Sequence, residues 1–281
     1  MYPTLRLYDG YDHTSPELQK SVEELQRRLV DDGFPITVDG RFGRVTETAV
    51  KAFQREHGLD DDGVVGPLTW AALLGSAPVF TTTFAPDDSG LLAELAEASK
   101  YDDAVSTAAG KYDVPACVIA GIGSRESGWG LRLRPRGSSG TGDFGPRRFP
   151  TRFRTGPLPP DGAGFGRGLL QIDFDAHAFA RTGPWRDPAA NIDYGTSVLS
   201  GARDSLARRV HLADGVLLRA SIVAYNSGVG NVLRALQGRH DLDFYTAGRN
   251  YSSDVLSRAG WFAGKGWACQ GRGGFDARRC A

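Results

Sequence analysis

The stretch that decides the fold reads Val114-Pro115-Ala116-Cys117-Val118-Ile119-Ala120-Gly121-Ile122, followed by Ser124-Arg125-Glu126-Ser127-Gly128. The apolar run predicts a helix that ends near Gly128. Ile119 and Ile122 precede Glu126 by seven and four residues, so all three share one helical face. Burial beside apolar neighbours favours the protonated form of a carboxyl group. Glu126 is therefore a candidate general acid, as glycosidic bond cleavage requires; the alternative is a solvated glutamate at a helix end.

Length and composition indicate a soluble globular protein. The chain has 281 residues, of which 41% are hydrophobic and 23% are charged, enough for one large domain or two ordinary ones. No apolar run reaches 18 residues, so no membrane insertion is expected. The segment Met1–Arg6 lacks the apolar stretch of a signal peptide. We expect synthesis into the cytoplasm, unless a signal has been removed from the sequence.

The charge is divided unevenly along the chain. Residues 1–75 contain 8 Lys and Arg against 13 Asp and Glu, a net charge of −5, and the remainder contains 25 against 20, a net charge of +5. A basic C-terminal part would be attracted to an anionic polymer, although ordinary charge scatter explains a difference of this size equally well.

The three cysteines cannot form a disulfide framework. Cys117 lies in the apolar helix and is interpreted as a small core residue. Cys269 and Cys280 could pair after export, and a reduced pair is equally compatible with the sequence. The Cys and His residues show no metal-ligand spacing, so neither a metal nor another cofactor is expected.

The first 75 residues have the pattern of a repeated helical unit. Ser15-Pro16 predicts a helix start, with Ser15 as the N-cap and Pro16 at the first helical position. Apolar residues then recur at helical spacing. The loops 38–43 and 61–66 have similar Asp-Gly patterns, and each leads into a helix. An internally repeated three-helix unit is therefore predicted.

The motifs of this unit are Leu25-Gln26-Arg27-Arg28-Leu29, Val38-Asp39-Gly40-Arg41-Phe42-Gly43, Thr46-x-x-Ala49-Val50-x-x-Phe53-Gln54 and Asp62-Gly63-Val64-Val65-Gly66-Pro67-x-Thr69-Trp70. Over residues 15–75 the sequence resembles the helical peptidoglycan-binding domain. This resemblance implies a non-catalytic module that anchors the chain to the cell wall. Asp39, Arg41 and Asp62 either contact glycan or stem peptide, or brace the loops.

The rest of the chain predicts a linker and a second, larger domain. Residues 76–90 are rich in Pro, Thr and Ser and read as a linker, so the predicted domains are 1–75 and 91–281. Helices are predicted at about 191–209, 214–226, 229–237 and 251–262. The Gly-, Pro- and Arg-rich segment 130–168 predicts loops with a small β element, and its arginines either hold an anionic glycan or are solvated. The fold class is mainly α, with a lysozyme-like α+β domain after the three-helix module.

Several further motifs carry a second resemblance. They are Glu126-Ser127-Gly128, Gly168-Leu169-Leu170-Gln171-Ile172-Asp173, Asn191-Ile192-x-x-Gly195-Thr196-x-x-Leu199, Ala224-Tyr225-Asn226-Ser227-Gly228 and Tyr251-x-x-Asp254-Val255-x-x-Arg258-Ala259. Over residues 90–267 the set resembles the lysozyme-like fold of goose-type lysozymes and soluble lytic transglycosylases, and the goose type is favoured. The resemblance implies that Glu126 is the catalytic acid. It also places Gln171, His177, Tyr225, Asn226 and Tyr251 in the glycan-binding cleft.

The second carboxylate distinguishes the two possible reactions. Hydrolysis with inversion needs a base that activates water, whereas a transglycosylase lets a sugar hydroxyl close an anhydro ring. Asp173 and Asp161 resemble the two goose-type aspartates and favour hydrolysis. Arg167 lengthens the turn after Asp161 by one residue, so Asp143 is the fallback for that position. Either Asp161 or Asp143 could also be an ordinary turn residue.

The resemblances together predict a modular muramidase. It would cut the β-1,4 bond between N-acetylmuramic acid and N-acetylglucosamine while its N-terminal module holds peptidoglycan, with no cofactor and no nucleic-acid partner. We expect a monomer. A phage endolysin that reaches the wall from the host cytoplasm fits best, and a bacterial autolysin or secreted effector remains an alternative. Rival functions are a lytic transglycosylase, a non-catalytic wall-binding protein and a chitinase.

Overall fold

The structure is a computed structural model that describes residues 2–56, 59, 61–73, 82–145, 147, 158–212, 214–238 and 240–269. This part of the chain is mainly helical, as predicted. The helices are α1 (Gln19–Asp31), α2 (Arg44–Glu56), α3 (Pro67–Leu73), α4 (Ser89–Ala98), α5 (Asp102–Tyr112), α6 (Ala116–Ser127), α7 (Ala178–Thr182), α8 (Pro188–Ala207), α9 (Asp214–Ser227), α10 (Val229–Gln237) and α11 (Tyr251–Ala263). Over these residues, no helix is long and apolar enough to cross a membrane.

One small antiparallel sheet interrupts the helices of the larger domain. Its strands, in the order β1-β2-β3, are β1 (Thr141–Gly142), β2 (Gly166–Arg167) and β3 (Ile172–Asp173). Gly166 lies opposite Gly142 on one side and opposite Asp173 on the other. The sheet confirms the small β element that the loop-rich segment predicted, and it fixes the backbone on both sides of Gln171.

Two equivalent glutamine side chains hold the loops of the N-terminal module. The Gln26 amide donates to Asp39 Oδ1 at 2.9 Å and to Thr46 Oγ1 at 3.1 Å, and its carbonyl accepts from the Gly40 amide at 2.8 Å. Gln54 makes the corresponding contacts in the second loop, to Asp62 Oδ1, Thr69 Oγ1 and the Gly63 amide. Both glutamines are buried, so each satisfies loop groups that water cannot reach. These matching clamps confirm the internal repeat.

The first residues of the chain form an arm that crosses both loops. Leu5 pairs with Val65 of the second loop, while the Tyr8 amide donates to the Phe42 carbonyl of the first loop at 2.9 Å. The arm leads into a 3₁₀ turn, Pro16–Leu18. Ser15 occupies the predicted N-cap position of that turn, but the side-chain cap is missing. Its hydroxyl instead donates to Asp9 and accepts from the Gly10 amide, which ties the arm to itself.

Helix α6 is the centre of the larger domain and is buried along nearly its whole length. It packs against α11 so closely that a Cβ on Gly121 would lie 2.6 Å from the Val255 carbonyl oxygen. Only glycine allows this approach. The packing brings the last turn of α6, which carries Glu126, beside the first turn of α11, which carries Tyr251.

The prediction for the cysteines was wrong in its pairing. Cys117, at the start of α6, forms a disulfide with Cys269, with the two Cα atoms 5.3 Å apart. The Cys117 amide also donates to the carbonyl of Ala268 at 3.0 Å. Cys117 is therefore more than a core residue, and Cys269 is not available to Cys280. The two partners are separated by 152 residues, so their proximity depends on the tertiary fold.

Some predictions fall outside the described residues. These concern Arg148, Arg152, Arg154, Cys280 and part of the predicted linker, 74–81. They also include His57-Gly58, where the sequence predicts that the second helix of the module ends at a glycine C-cap. The described end of that linker lies on α11, because the Thr83 amide donates to Ser257 Oγ at 2.9 Å and Trp261 Nε1 donates to the Ala85 carbonyl at 2.8 Å. We propose the domain boundaries 1–75 and 91–281, which are supported by the separate apolar cores on either side.

Replacing Gln26 with alanine is expected to loosen the N-terminal module, because buried loop amides and the Thr46 hydroxyl lose their partner. Loss of one such group lowers the free energy of opening by about 2 kcal/mol. Hydrogen exchange measured by mass spectrometry on peptides from α1 and α2 checks this. Gln19→Ala, at an exposed position of the same helix, is the control and is expected to leave exchange unchanged. Unchanged exchange in Gln26→Ala would contradict the clamp.

Candidate active site

Glu126 lies in the last turn of α6 on the face predicted from the sequence. Ile119 and Ile122 beneath it are both buried, and Glu126 itself is half-buried. Its Oε1 accepts a hydrogen bond from the hydroxyl of Tyr251, the first residue of α11. The carboxyl group is therefore held against apolar side chains and has one fixed polar partner.

The surroundings of Glu126 favour its protonated form. Burial raises the pKa of Glu126 from 4.5 to about 7, while the Tyr251 hydrogen bond and the positive charges of Arg125 and Arg132 oppose the rise. The position at a helix C-terminus acts in the same direction as burial, because the negative end of the helix dipole disfavours an anion. A carboxyl group with this pKa is a competent proton donor near neutral pH.

An ion network around the buried Glu94 fixes the end of the helix behind Glu126. Arg132 donates to Glu94 Oε1 at 2.6 Å and to the backbone carbonyls of Ser124 and Arg125 at the end of α6. The Ser124 hydroxyl donates to Glu94, and Arg258 of α11 donates to Ser124 Oγ at 2.8 Å. Arg132 thereby adds a donor to two carbonyls of the last turn, of which that of Ser124 also accepts from the Gly128 amide at 3.1 Å. Sequence reasoning missed this network, and no local pattern indicates that Glu94 is buried.

The two tyrosines predicted for the cleft both approach Glu126. Tyr251 is buried, and burial together with the nearby Glu126 carboxylate raises its pKa well above its usual value. Burial and Glu126 raise the pKa of Tyr225 in the same way, and its hydroxyl donates to the Leu170 carbonyl at 2.6 Å. Both phenols therefore stay neutral and serve as hydrogen-bond donors. Tyr225 also ties α9 to the segment that precedes Gln171.

Gln171 sits in a tight turn between β2 and β3. It adopts a left-handed backbone conformation with φ 49°, and its side-chain Nε2 donates to the Gly168 carbonyl at 2.7 Å. Its Oε1 lies over the sheet, where a Cβ on either Gly142 or Gly166 would come within 2.2 Å of it. These two glycines make room for the Gln171 side chain against the sheet.

Among the described residues, His177 and Asn226 have hydrogen-bond partners other than Glu126. His177 Nδ1 is 3.2 Å from the Tyr194 hydroxyl, and burial lowers the His177 pKa. The exposed Asn226 accepts from the Ala247 amide at 3.3 Å through its Oδ1. This contact uses the oxygen of the Asn226 side-chain amide and not its nitrogen. Of the predicted cleft residues, the structure thus joins Tyr251 directly to Glu126 and brings Tyr225 next to it.

Asp161 is held by an arginine that the sequence had marked as an irregularity. The Nη1 and Nη2 atoms of Arg167 donate to it, at 2.7 and 2.9 Å, and this pairing holds the pKa of Asp161 below its usual value. Arg167 is fully buried, with the rings of Phe174 and Trp185 at 4.8 and 5.1 Å from its Cζ. The residue that lengthens the turn therefore anchors Asp161 to the core.

Asp173 is also paired with an arginine. Arg147 bridges Asp173 and Asp143, and it donates to Asp143 Oδ2 at 2.9 Å. The other oxygen of Asp173 accepts from the amides of Asp175 and Ala176, each at 2.9 Å. The three candidate second carboxylates thus each contact a guanidinium group, and none is among the electrostatic partners of Glu126 in the described residues.

This arrangement supplies one proton donor, Glu126, and three arginine-paired aspartates on the loop side. Among the described residues, no group of three or more His, Cys, Asp or Glu side chains could hold a metal ion. The raised pKa of Glu126 suits this side chain to acid–base chemistry. A half-buried acid at the end of a core helix, next to a small antiparallel sheet, defines a lysozyme-type site.

Comparison with known proteins agrees with this class. Residues 160–266 match the family model "Lysozyme g", and residues 19–73 match the model "Putative peptidoglycan binding domain". Lysozyme g of Gallus gallus is 30% identical over 175 residues, which is 62% of this chain and 69% of that protein. Lysozyme g of Cyprinus carpio is 28% identical over 175 residues, covering 62% of this chain and 78% of that protein.

Two other similarities differ in extent. The N-acetylmuramoyl-L-alanine amidase CwlM of Mycobacterium tuberculosis is 45% identical over 60 residues, 21% of this chain and 15% of that protein. The crystal structure of Burkholderia AP3 phage endolysin aligns with 95% of this chain and 100% of that chain at 20% identity. Its TM-score of 0.24 is too low to support an argument about the fold.

The chain belongs to the lysozyme g family. It is a lysozyme-type glycoside hydrolase with a peptidoglycan-binding domain at its N-terminal end. Both resemblances stated from the sequence motifs are confirmed.

Glu126→Gln is expected to stabilise the fold at alkaline pH. The folded-state pKa of about 7 exceeds the usual 4.5, so between these values the folded protein holds a proton that the unfolded chain releases. The contribution of Glu126 to the free energy of unfolding of the wild type therefore falls as pH rises from 4.5 to 7 and then levels off. The advantage of the variant grows over this window by up to about 3 kcal/mol.

Thermal unfolding of both proteins between pH 4.5 and pH 8 measures this difference. Asp103→Asn, at an exposed position of the same domain, is the control and should show no such trend. A difference between Glu126→Gln and wild type that does not change with pH would show that Glu126 titrates as an ordinary carboxyl group.

Proposed function

We propose that this chain hydrolyses the β-1,4 bond between N-acetylmuramic acid and N-acetylglucosamine in peptidoglycan, with Glu126 as the general acid. The observation that carries the proposal is the Glu126 carboxyl group, which is half-buried in the last turn of α6 and has a pKa of about 7. Membership of the lysozyme g family supports the same reaction. Glu126 donates its proton to the oxygen that links the two sugars.

The residues around Glu126 suit its change of charge during the reaction. Once the proton has left, the new carboxylate keeps the hydrogen bond from Tyr251 and gains from the positive charges of Arg125 and Arg132. These interactions are stronger with the ionised form that develops in the transition state than with the neutral acid, so they lower the barrier. The Glu94–Arg132 pair keeps Arg132 in place for this role.

Asp173 is the favoured second carboxylate. It lies on β3, two residues after Gln171, and its two backbone hydrogen bonds leave the second oxygen to Arg147. We assign it to activating the attacking water. Asp161 forms a bidentate pair with the buried Arg167, which suits it to shaping the loop rather than to accepting a proton.

The other predicted cleft residues are proposed to bind the glycan. Gln171 presents its Oε1 over the sheet, Asn226 has an exposed amide, and Tyr225 lies beside Glu126. Amide groups provide both donors and acceptors for the hydroxyl and acetamido groups of the sugars. His177, which pairs with Tyr194, is proposed to line the same cleft beyond Asp173.

A lytic transglycosylase is the second candidate, and one observation favours it. Both Asp161 and Asp173 are engaged by arginines, and a transglycosylase needs no base to activate water. Under that alternative Glu126 would act first as acid and then as base, and the products would carry 1,6-anhydro ends instead of reducing ends.

The N-terminal module is proposed to hold the substrate polymer. Binding through one module raises the effective concentration of the same polymer at the other. We propose that the chain acts as a monomer on the bacterial cell wall, as an endolysin that reaches the wall from the host cytoplasm. A secreted bacterial enzyme is the alternative.

Glu126→Gln is expected to lower the clearance of a cell-wall suspension by at least about a thousandfold, because no other acid replaces the lost proton donor. Turbidity measures the rate, and mass spectrometry of wild-type digests identifies the ends. Reducing ends support hydrolysis, whereas 1,6-anhydro ends would replace it with transglycosylation. Glu97→Gln, on the surface of α4, is the control. Undiminished clearance by Glu126→Gln would overturn the catalytic assignment.

Tyr251→Phe is expected to move the alkaline limb of the pH–rate profile upward. Activity needs protonated Glu126 and falls as pH rises through its pKa, and the Tyr251 hydrogen bond holds that pKa down. The variant also loses about tenfold in rate at its optimum, because the new carboxylate lacks one donor. Tyr225→Phe is the matched control: its hydroxyl bonds to Leu170, so its limb should not move. If the alkaline limb of the pH–rate profile stays in place in Tyr251→Phe, the Tyr251 hydrogen bond does not hold down the pKa of Glu126.

A further inference from the structure

Three aromatic rings and a guanidinium group meet where the N-terminal arm crosses the first loop of the module. The ring centroids of Tyr8 and Tyr11 are 6.2 Å apart, those of Tyr11 and His13 are 5.6 Å apart, and both pairs are edge-to-face. Arg41 places its Cζ 5.9 Å from the Tyr11 centroid, and its Nη2 is 3.9 Å from Asp12. We call Tyr8, Tyr11, His13 and Arg41 the arm patch.

The arm patch is exposed although its backbone is firmly held. The Tyr8 residue is 49% exposed, the Arg41 side chain is 53% exposed, and His13 is also exposed. Tyr8 has φ 77°, a left-handed conformation that is unfavourable for a bulky side chain. Hydrogen bonds from its amide to Phe42 and from Thr14 to its carbonyl keep it there. Strained residues of this kind are concentrated at ligand-binding sites.

The Gln26 clamp does not include the side chain of Arg41. In the first loop, Gln26 contacts the carbonyl of Arg41, and Asp39 accepts from its amide, so only its backbone is part of the clamp. The equivalent position in the second loop is Val64, whose carbonyl takes the same bond from Gln54. The cation is therefore specific to the loop that the aromatic arm covers. Residues 8–13 also precede the matched peptidoglycan-binding segment, 19–73.

The charge of the module selects the ligand. Residues 1–75 have a net charge of −5, so their overall field repels anionic polymers and anionic peptide groups. Uncharged sugar rings escape this repulsion, and their apolar C–H faces fit against tyrosine rings. Arg41 and His13 add donors for hydroxyl and acetamido oxygens.

We propose that the arm patch is a binding site for the N-acetylhexosamine rings of the glycan strand, separate from the cleft that contains Glu126. The proposal rests on the proposed function, because the strand bound here is the polymer that the larger domain cuts. The site would hold the strand through its sugars, and the stem peptides would remain outside the contact.

Binding of the full chain to purified glycan tests the proposal. All proteins carry Glu126→Gln, so that bound polymer is not degraded, and they are sedimented with chitin, an uncharged polymer of N-acetylglucosamine. Tyr8→Gly is expected to weaken binding about fivefold, and Arg41→Ala by a similar factor. Glycine suits the left-handed backbone at position 8, so this variant should fold as well as the parent.

The control is Val30→Ala, at a 42% exposed position of the same module, which should bind like the parent. If thermal unfolding shows that Tyr8→Gly is misfolded, Arg41→Ala decides alone, since its side chain lies outside the clamp. Parent-like binding by the folded variants overturns the proposal. So does a parent protein that binds intact sacculi but not chitin, which would show that N-acetylhexosamine rings alone are not the ligand. No cleavage is measured, so this outcome is independent of the muramidase assay.

Discussion

The burial of one carboxyl group at the end of a core helix is the constraint on which the rest of this site depends. Helix α6 is packed on almost every side, so its last turn places Glu126 against Ile119 and Ile122 rather than in water. Desolvation and the helix dipole then both act against the ionised form. The carboxyl group keeps its proton near neutral pH. The hydroxyl of Tyr251 donates a hydrogen bond that stabilises the carboxylate formed when that proton leaves.

The fold keeps Glu126 neutral although the site contains several charged side chains. Arg132 neutralises Glu94 and binds the carbonyls at the end of α6, so it stabilises the helix terminus and supplies positive potential near Glu126 at once. On the loop side, Arg147 and Arg167 hold the acidic residues Asp173 and Asp161. Among the described residues these acidic side chains have arginine partners within 4 Å, whereas Glu126, the proton donor, is held by the Tyr251 hydroxyl.

Local sequence patterns predicted the helices, the repeated loops and the place of Glu126, because these depend on spacing within one element. The partners of the acidic residues could not be read in this way. Arg167 looked like an insertion in a turn, and only the folded core shows that it pairs with Asp161. The disulfide between Cys117 and Cys269 joins residues that no local pattern relates. Predictions failed where the contact is set by tertiary packing.

The most direct measurement of the central claim is the pKa of Glu126 in the folded protein. Carbon-13 NMR of labelled glutamate carboxyl groups, titrated from pH 3 to pH 9, gives this value, and the resonance missing from Glu126→Gln assigns it. The account predicts a midpoint of about 7. A midpoint near the ordinary value of 4.5 would show that the carboxyl group is ionised at neutral pH and would contradict its role as the acid.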